Sequence, residues 1–222
     1  MIKKIGLIVA GGLGTRLNKT LPKQFLLIHN KPIIIYTIEK FIKAFEDIEF
    51  IIVLPKDYIN YGTTLIKSFN FLQKIQFVAG GNTRFESVQN GLKNIHNDET
   101  IVFIHDAARC LVSSTLIQHC YNHCLKFNNA VPAIKSNNSI RMGDENSNKS
   151  ILRTTIFIIQ TPQTFYYKDL KDAYQQPFQE NFTDDANVVE NTGVKIHLIN
   201  GEENNIKITN PIDLIIAAAM LK

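Results

Sequence analysis

No apolar run in this sequence reaches the roughly 18 residues a membrane-spanning helix needs, which argues against a helical membrane protein. The opening MIKKIGLIVAGG has no signal-peptide cleavage pattern, because its hydrophobic part already reads as a strand, so the expectation is a cytoplasmic protein. Cysteine is scarce: three residues, an odd number without secretion features, argue against a disulfide framework. Basic charge is also modest. A net charge of +4, carried by scattered lysines rather than clusters interleaved with aromatics, suits an anionic small substrate and not a nucleic acid. Internal repeats and long linkers are absent, and 222 residues, 45% hydrophobic and 20% charged, make a single domain over 1–222 the expectation.

Two further absences concern glycine. The segment Ile5 to Leu26, IGLIVAGGLGTRLNKTLPKQFL, runs from a continuous apolar strand into Gly11, Gly12 and Gly14. It lacks the third glycine of a dinucleotide fingerprint, since Leu17 stands there, and the chain contains no GK[ST] of a Walker loop. A different phosphate grip is implied. Bare amides of the glycine turn can meet phosphate oxygens. Arg16 and Lys23 add a fork and a point charge, able to neutralise a triphosphate and the charge that grows at its α-phosphorus; Pro22 fixes the chain before Lys23.

Strands and helices then alternate. Ile34, Ile38, Phe41 and Ile42 repeat at helical spacing, Phe50–Leu54 is a second buried strand, Leu65–Phe71 suits a helix, and Lys74–Ala79 is a third strand. This order predicts an α/β fold with a mostly parallel sheet. Gly80 and Gly81 form a second glycine turn, opening a helix at the carboxyl edge where ligands bind in open α/β sheets. Thr100–Ile104 is a fourth strand, followed by HDAAR. Asp106, a carboxylate at a strand end facing a triphosphate, is a natural Mg²⁺ ligand, although Asp106 and Arg109 also read as a strand-end ion pair. His119, Cys120, His123 and Cys124 have metal-like spacing, but Leu116, Ile117, Cys120, Tyr121 and Cys124 form one helical stripe, which makes the cysteines core residues.

After AVPAI, a fifth strand, Lys135–Ser150 is rich in Asn and Ser, with Gly143 as a turn. Ser139–Arg141 and Ile151–Arg153 flank that turn like the arms of a hairpin that needs another strand to pair with. The Thr161 hydroxyl, at a strand-end turn, can bind a polyol or phosphate oxygen. Thr183 reads as a helix cap, with Asp184 and Asp185 suiting the dipole of the first turn. Lys195–Ile199 is a last strand. Asn205, Lys207 and Thr209 alternate on one face of an extended segment, from which Lys207 can reach a phosphate, and Asp213 begins the closing helix.

The strings GGxGTR, PKQF, GGxxRxxS, HDAAR, TPQTF, FTDDA and NNIKITNP lie in order along nearly the whole chain. Together they resemble the nucleotidyltransferases that load a polyol phosphate onto a nucleoside triphosphate, and most of all the 2-C-methyl-D-erythritol 4-phosphate cytidylyltransferase family. The resemblance implies a three-layer Rossmann-like nucleotidyltransferase fold with a projecting β-arm. It implies CTP and a polyol phosphate as substrates in isoprenoid precursor synthesis, Mg²⁺ as cofactor, and a homodimer through the 136–153 arm.

Carried over residue by residue, Arg16, Lys23 and Lys207 become catalytic. Ala10, Gly11, Gly12, Gly14, Gly80, Gly81, Asn82, Arg84, Ser87 and Ala107 become nucleotide-binding, and Asp106, Arg109, Ser139, Arg153, Thr161 and Thr183 bind the polyol phosphate. Asn82, Asn138, Cys110 and Asn187 depart from the family pattern, standing where acidic residues are frequent (Asn82, Asn138), where proline is usual and where serine is usual. Ribitol 5-phosphate cytidylyltransferase shares the glycine loop, PKQF and NIK, and a catalytically silent nucleotide-binding protein of the same fold is the reading of another class.

Overall fold

In chain order the elements are β1 (Lys4–Val9), two-residue strands β2 (Leu27–Ile28) and β3 (Lys31–Pro32), α1 (Ile33–Ala44), β4 (Glu49–Leu54), α2 (Ile59–Lys67) and β5 (Ile75–Ala79). Next come α3 (Arg84–Leu92), β6 (Ile101–Asp106), α4 (Ser114–Phe127), β7 (Asn129–Lys135), β8 (Ile140–Gly143) and β9 (Asn148–Ile151). The chain closes with β10 (Phe157–Ile159), β11 (Gln163–Tyr166), α5 (Tyr167–Ala173), α6 (Asp185–Glu190), β12 (Leu198–Asn200) and α7 (Pro211–Met220). They come from a computed structural model that describes residues 2–12 and 21–221.

Period-two alternation along strands buried on both sides produces the three layers. Phe50, Ile52 and Leu54 of β4 and Ile101 and Phe103 of β6 pack on one face with Ile34, Ile38 and Phe41 of α1 and Ile117, Cys120 and Cys124 of α4. Their neighbours Ile51, Val53, Val102 and Ile104 pack on the other face with Val88 of α3, Leu170 of α5 and Val189 of α6. Cys120 and Cys124 are thus core residues, and the described residues contain no group of three potential metal ligands among His, Cys, Asp and Glu.

Strands β6, β1, β4 and β5 are parallel in that order. Beyond β6 the direction reverses: β11 is antiparallel to both β6 and β7, β10 is antiparallel to β7, and β12 runs parallel with β7. From Ile159 to Thr164 the chain advances five positions while its partner strand moves only three, from Ala133 to Ala130. The two extra residues interrupt the ladder at Gln160–Pro162, and this break carries Thr161 to the end of β6.

Several boundaries differ from the sequence expectation. The second helix is Ile59–Lys67 rather than Leu65–Phe71, because Gly62 lets it approach closely: a Cβ there would lie 2.7 Å from Leu54 and 2.8 Å from Phe25. The cap of α6 is Asp184, whose side chain accepts from the Asn187 amide, and Thr183 lies exposed one residue earlier. The last strand is Leu198–Asn200, and Asn204–Asn210 has no strand structure. The hairpin exists as β8 and β9, with Ile140 opposite Ile151, but Ser139 and Arg153 fall just outside it.

Candidate active site

The carboxyl ends of β1, β5 and β6 open into a cleft of about 300 Å³, the place where an α/β sheet leaves strand-end amides and side chains unclaimed by the ladder. Val9, Ala10, Gly11 and Gly12 form one wall, and Gly81 to Arg84 with Ser87 another. Asp106, Ala107 and Ala108 form the floor, with Lys23, Gln24, Lys207 and Thr209 closing the cleft. Gln24 is buried and its amide donates to the Ala10 carbonyl at 2.6 Å, pinning the start of the glycine turn.

Gly11 and Gly80 are required by proximity rather than by φ, since neither has a positive φ. A Cβ on either would lie 3.0 Å from the Ser87 hydroxyl, and a Cβ on Gly80 would lie 3.5 Å from the Gly11 Cα. The second glycine turn satisfies itself. Ser87 donates to the Thr83 carbonyl at 2.9 Å and accepts from the Gly81 amide at 3.1 Å, while Glu86 accepts from the Asn82 amide at 2.6 Å. Gly81 and Asn82 therefore turn two of their amides inward, and Ser87, buried, shapes the wall.

Behind the wall runs a chain of charges. Tyr174 donates to Asp185 at 2.6 Å, and Asp185 takes both terminal nitrogens of Arg84 at 2.8 and 2.7 Å. Arg84 Nε reaches Asp106 Oδ1 at 3.3 Å, and Lys207 Nζ meets Asp106 Oδ2 at 2.7 Å. Burial alone would raise the Asp106 carboxyl, but Arg84 and Lys207 outweigh it and hold it well below the usual carboxylate range. Burial likewise opposes the charge on Arg84, and the Asp185 and Asp106 carboxylates overcome it and raise its pKa further. Both ends of the Arg84–Asp106 contact are therefore charged at neutral pH, and Lys207 presents its ammonium at the cleft from a fixed carboxylate.

The end of β6 is braced from the opposite face. His105 is fully buried, with Nδ1 3.0 Å from the Thr161 hydroxyl and Nε2 3.3 Å from the Arg109 carbonyl. Burial pushes its pKa down to about 3, so the ring is neutral. The Thr161 hydroxyl also accepts from the Asp106 amide at 3.2 Å, and Asn205 donates to the Thr161 carbonyl at 2.9 Å. Arg109 points its fork at the carbonyls of Asn205 and Ile159, at 2.8 and 3.4 Å. Lys23 donates to the Ile208 carbonyl at 2.8 Å, which ties the basic segment to the loop that carries Lys207.

A family model described as IspD, 2-C-methyl-D-erythritol 4-phosphate cytidylyltransferase, matches residues 5–222. The chain belongs to the IspD family. A curated relative from Azobacteroides pseudotrichonymphae, named 2-C-methyl-D-erythritol 4-phosphate cytidylyltransferase, is 40% identical over 222 residues, covering all of both chains. One of the same name from Bacteroides fragilis is 40% identical over 218 residues, covering 98% of this chain and 99% of the relative. Among solved structures, the Francisella tularensis enzyme of that name aligns with a TM-score of 0.82 at 29% identity, covering 99% of this chain and 100% of the other. The 4-diphosphocytidyl-2C-methyl-D-erythritol synthase of Anaerococcus prevotii aligns at 0.84 and 26%, covering 99% and 98%.

Of the site residues expected from sequence, this IspD member brings Ala10, Gly11, Gly12, Lys23, Gly81, Asn82, Arg84, Ser87, Asp106, Ala107 and Lys207 to one cleft. Gly80 backs it through Ser87. Gly14 and Arg16 lie outside the described residues. Thr161 is buried against His105, Arg109 faces backbone carbonyls, and Thr183, Ser139 and Arg153 are exposed and do not line this chain's cleft. Arg153 instead donates to the Asn137 carbonyl at 3.1 Å. From sequence, Asp185 reads only as a first-turn acid, and nothing local gives Gln24, Tyr174 or His105 a role. A carboxylate and an arginine 101 positions apart leave no local signal of their contact.

Proposed function

We infer that the protein is a cytidylyltransferase that joins CTP and 2-C-methyl-D-erythritol 4-phosphate into the CDP-linked polyol with release of pyrophosphate. The observation that carries this is the full-length membership of the IspD family together with a cleft whose floor fixes a lysine beside a buried aspartate. A phosphate oxygen of the polyol phosphate attacks the α-phosphorus of CTP; one P–O bond forms as the bond to the bridging oxygen of pyrophosphate breaks. Lys23 and Lys207 supply cations where negative charge accumulates, and Arg16 belongs with them by its place in the motif. No protein nucleophile is needed, because the substrate phosphate is already an anion and the cleft provides position and charge.

The donor set suits a magnesium ion carried by the nucleotide rather than caged by protein. Asp106 is the one carboxylate lining the cleft among the described residues, and Mg²⁺ is ordinarily held by one or two carboxylates together with phosphate oxygens. Bound there, the ion would neutralise triphosphate charge. The dimer reading draws support from the hairpin and the strand that follows it, which expose Met142, Leu152, Phe157 and Ile158. A two-stranded hairpin with this much apolar surface is stabilised by pairing with a second copy, which would bring Arg153 to the partner's site.

The test is pyrophosphate release from CTP with 2-C-methyl-D-erythritol 4-phosphate and, separately, with ribitol 5-phosphate. Turnover should require the former and fall sharply when ATP, GTP or UTP replaces CTP; equal turnover with ATP would remove the assignment.

A further inference from the structure

Two residues of the charge chain, Asp185 and Tyr174, do not line the cleft. Asp185 is fully buried, an expensive place for a carboxylate unless it is paired, and α6 already has its cap in Asp184. Its two oxygens take both terminal nitrogens of Arg84, and the Tyr174 hydroxyl holds one of those oxygens from behind. The consequence reaches the cleft: with its fork occupied, Arg84 has only Nε for Asp106, and Asp106 Oδ2 is left to Lys207.

We propose that Asp185 and Tyr174 are positioning residues for nucleotidyl transfer, which occupy the Arg84 fork so that Asp106 can anchor Lys207 at the cleft. The proposal rests on reading this cleft as the transfer site. A guanidinium gains more from gripping a carboxylate with two nitrogens than with one. Freed from Asp185, Arg84 turns its fork on Asp106, the other carboxylate it already touches, and competes with Lys207 for it. Lys207 then loses the tether that fixes its ammonium. Since charge at the transferring phosphorus grows in the transition state, a displaced Lys207 lowers turnover far more than it weakens nucleotide binding. A purely structural ion pair predicts the reverse, a less stable protein with normal turnover.

The experiment measures kcat and KM for CTP in wild type, Tyr174→Phe and Asp185→Asn. Each is assayed below its own melting temperature, with CTP affinity measured by calorimetry in the absence of the polyol phosphate. Tyr174→Phe removes one hydrogen bond and keeps the ring stacked on Phe85, 4.8 Å between centroids, so it is the variant that folds most safely. It should lower kcat about threefold to tenfold, and Asp185→Asn about 10²-fold, with KM and CTP affinity within about twofold of wild type. Wild-type kcat in Tyr174→Phe overturns the proposal, and this variant decides it if Asp185→Asn does not fold. A wild-type protein inactive on CTP would instead bring down the functional reading, and this inference with it.

Discussion

Replacing Lys207 by Met separates the two kinds of work a charged side chain can do. The substitution keeps an unbranched stem and removes the ammonium that lies 2.7 Å from Asp106 Oδ2. The lysine side chain is 40% exposed, so water screens the pair even though its partner is only 11% exposed. Such a contact is worth about 1 kcal/mol or less to stability, and the melting temperature should fall by no more than about 2–4 °C. Asp106 is not abandoned, because its contact with Arg84 Nε at 3.3 Å remains. Turnover behaves differently. Loss of one preorganised group facing developing negative charge costs about 2.7–4 kcal/mol, a factor of about 10² to 10³ in kcat. Urea unfolding and single-turnover pyrophosphate release measure the two quantities on the same preparation. A kcat within about threefold of wild type, or a stability loss of several kcal/mol, would refute the division of labour assigned to Lys207.

Gly81→Ala should damage the nucleotide wall, because its Cβ would lie 2.3 Å from Glu86 Cβ and the first turn of α3 would have to move; kcat/KM for CTP should fall at least tenfold, and an unaffected value would contradict that packing. His105 carries a pH signature: with a native pKa of about 3 against 6.5 unfolded, the unfolded chain binds the extra proton between those values. Stability is therefore lost as pH falls from 6.5 towards 3, by up to about 1.4 kcal/mol per pH unit, and His105→Gln should flatten urea-unfolding stability across that window. Asp106→Asn should raise the Mg²⁺ concentration needed for half-maximal activity, since an amide oxygen is a weaker ligand; an unchanged requirement leaves Asp106 to Lys207 and Arg84 alone. If Arg153 serves the partner's site while Lys23 serves its own, randomly exchanged subunits of Lys23→Ala and Arg153→Ala should recover about a quarter of wild-type activity, and none if Arg153 acts within its own chain.

The sheet's parallel heart, the position of the cleft and most of its lining are legible in local residue pattern. Continuous apolar runs such as Phe50–Leu54 become strands buried on both faces, and the glycine turns and HDAAR fall at their carboxyl ends because chain direction in a parallel sheet leaves no other edge for them. The closing helix is legible as well, with Asp213 accepting from the Asn210 amide at 2.7 Å in its first turn. Boundaries were less legible where packing overrides pattern, as at α2, whose extent follows from Gly62 fitting beneath Phe25 and Leu54.

Several polar residues take roles that depend on how distant elements pack. Thr161 reads as a ligand-binding hydroxyl, yet the two-residue interruption between β10 and β11 turns it inward against His105 and the Asp106 amide. Arg84 reads as a base-recognition residue and Asp185 as a dipole acid, yet they form one buried pair across 101 positions of chain. Short-range periodicity records which face of an element is apolar. Ion pairs at hydrogen-bond distance depend on how elements distant in sequence are brought together, and only the packed sheet and its two helical layers specify that.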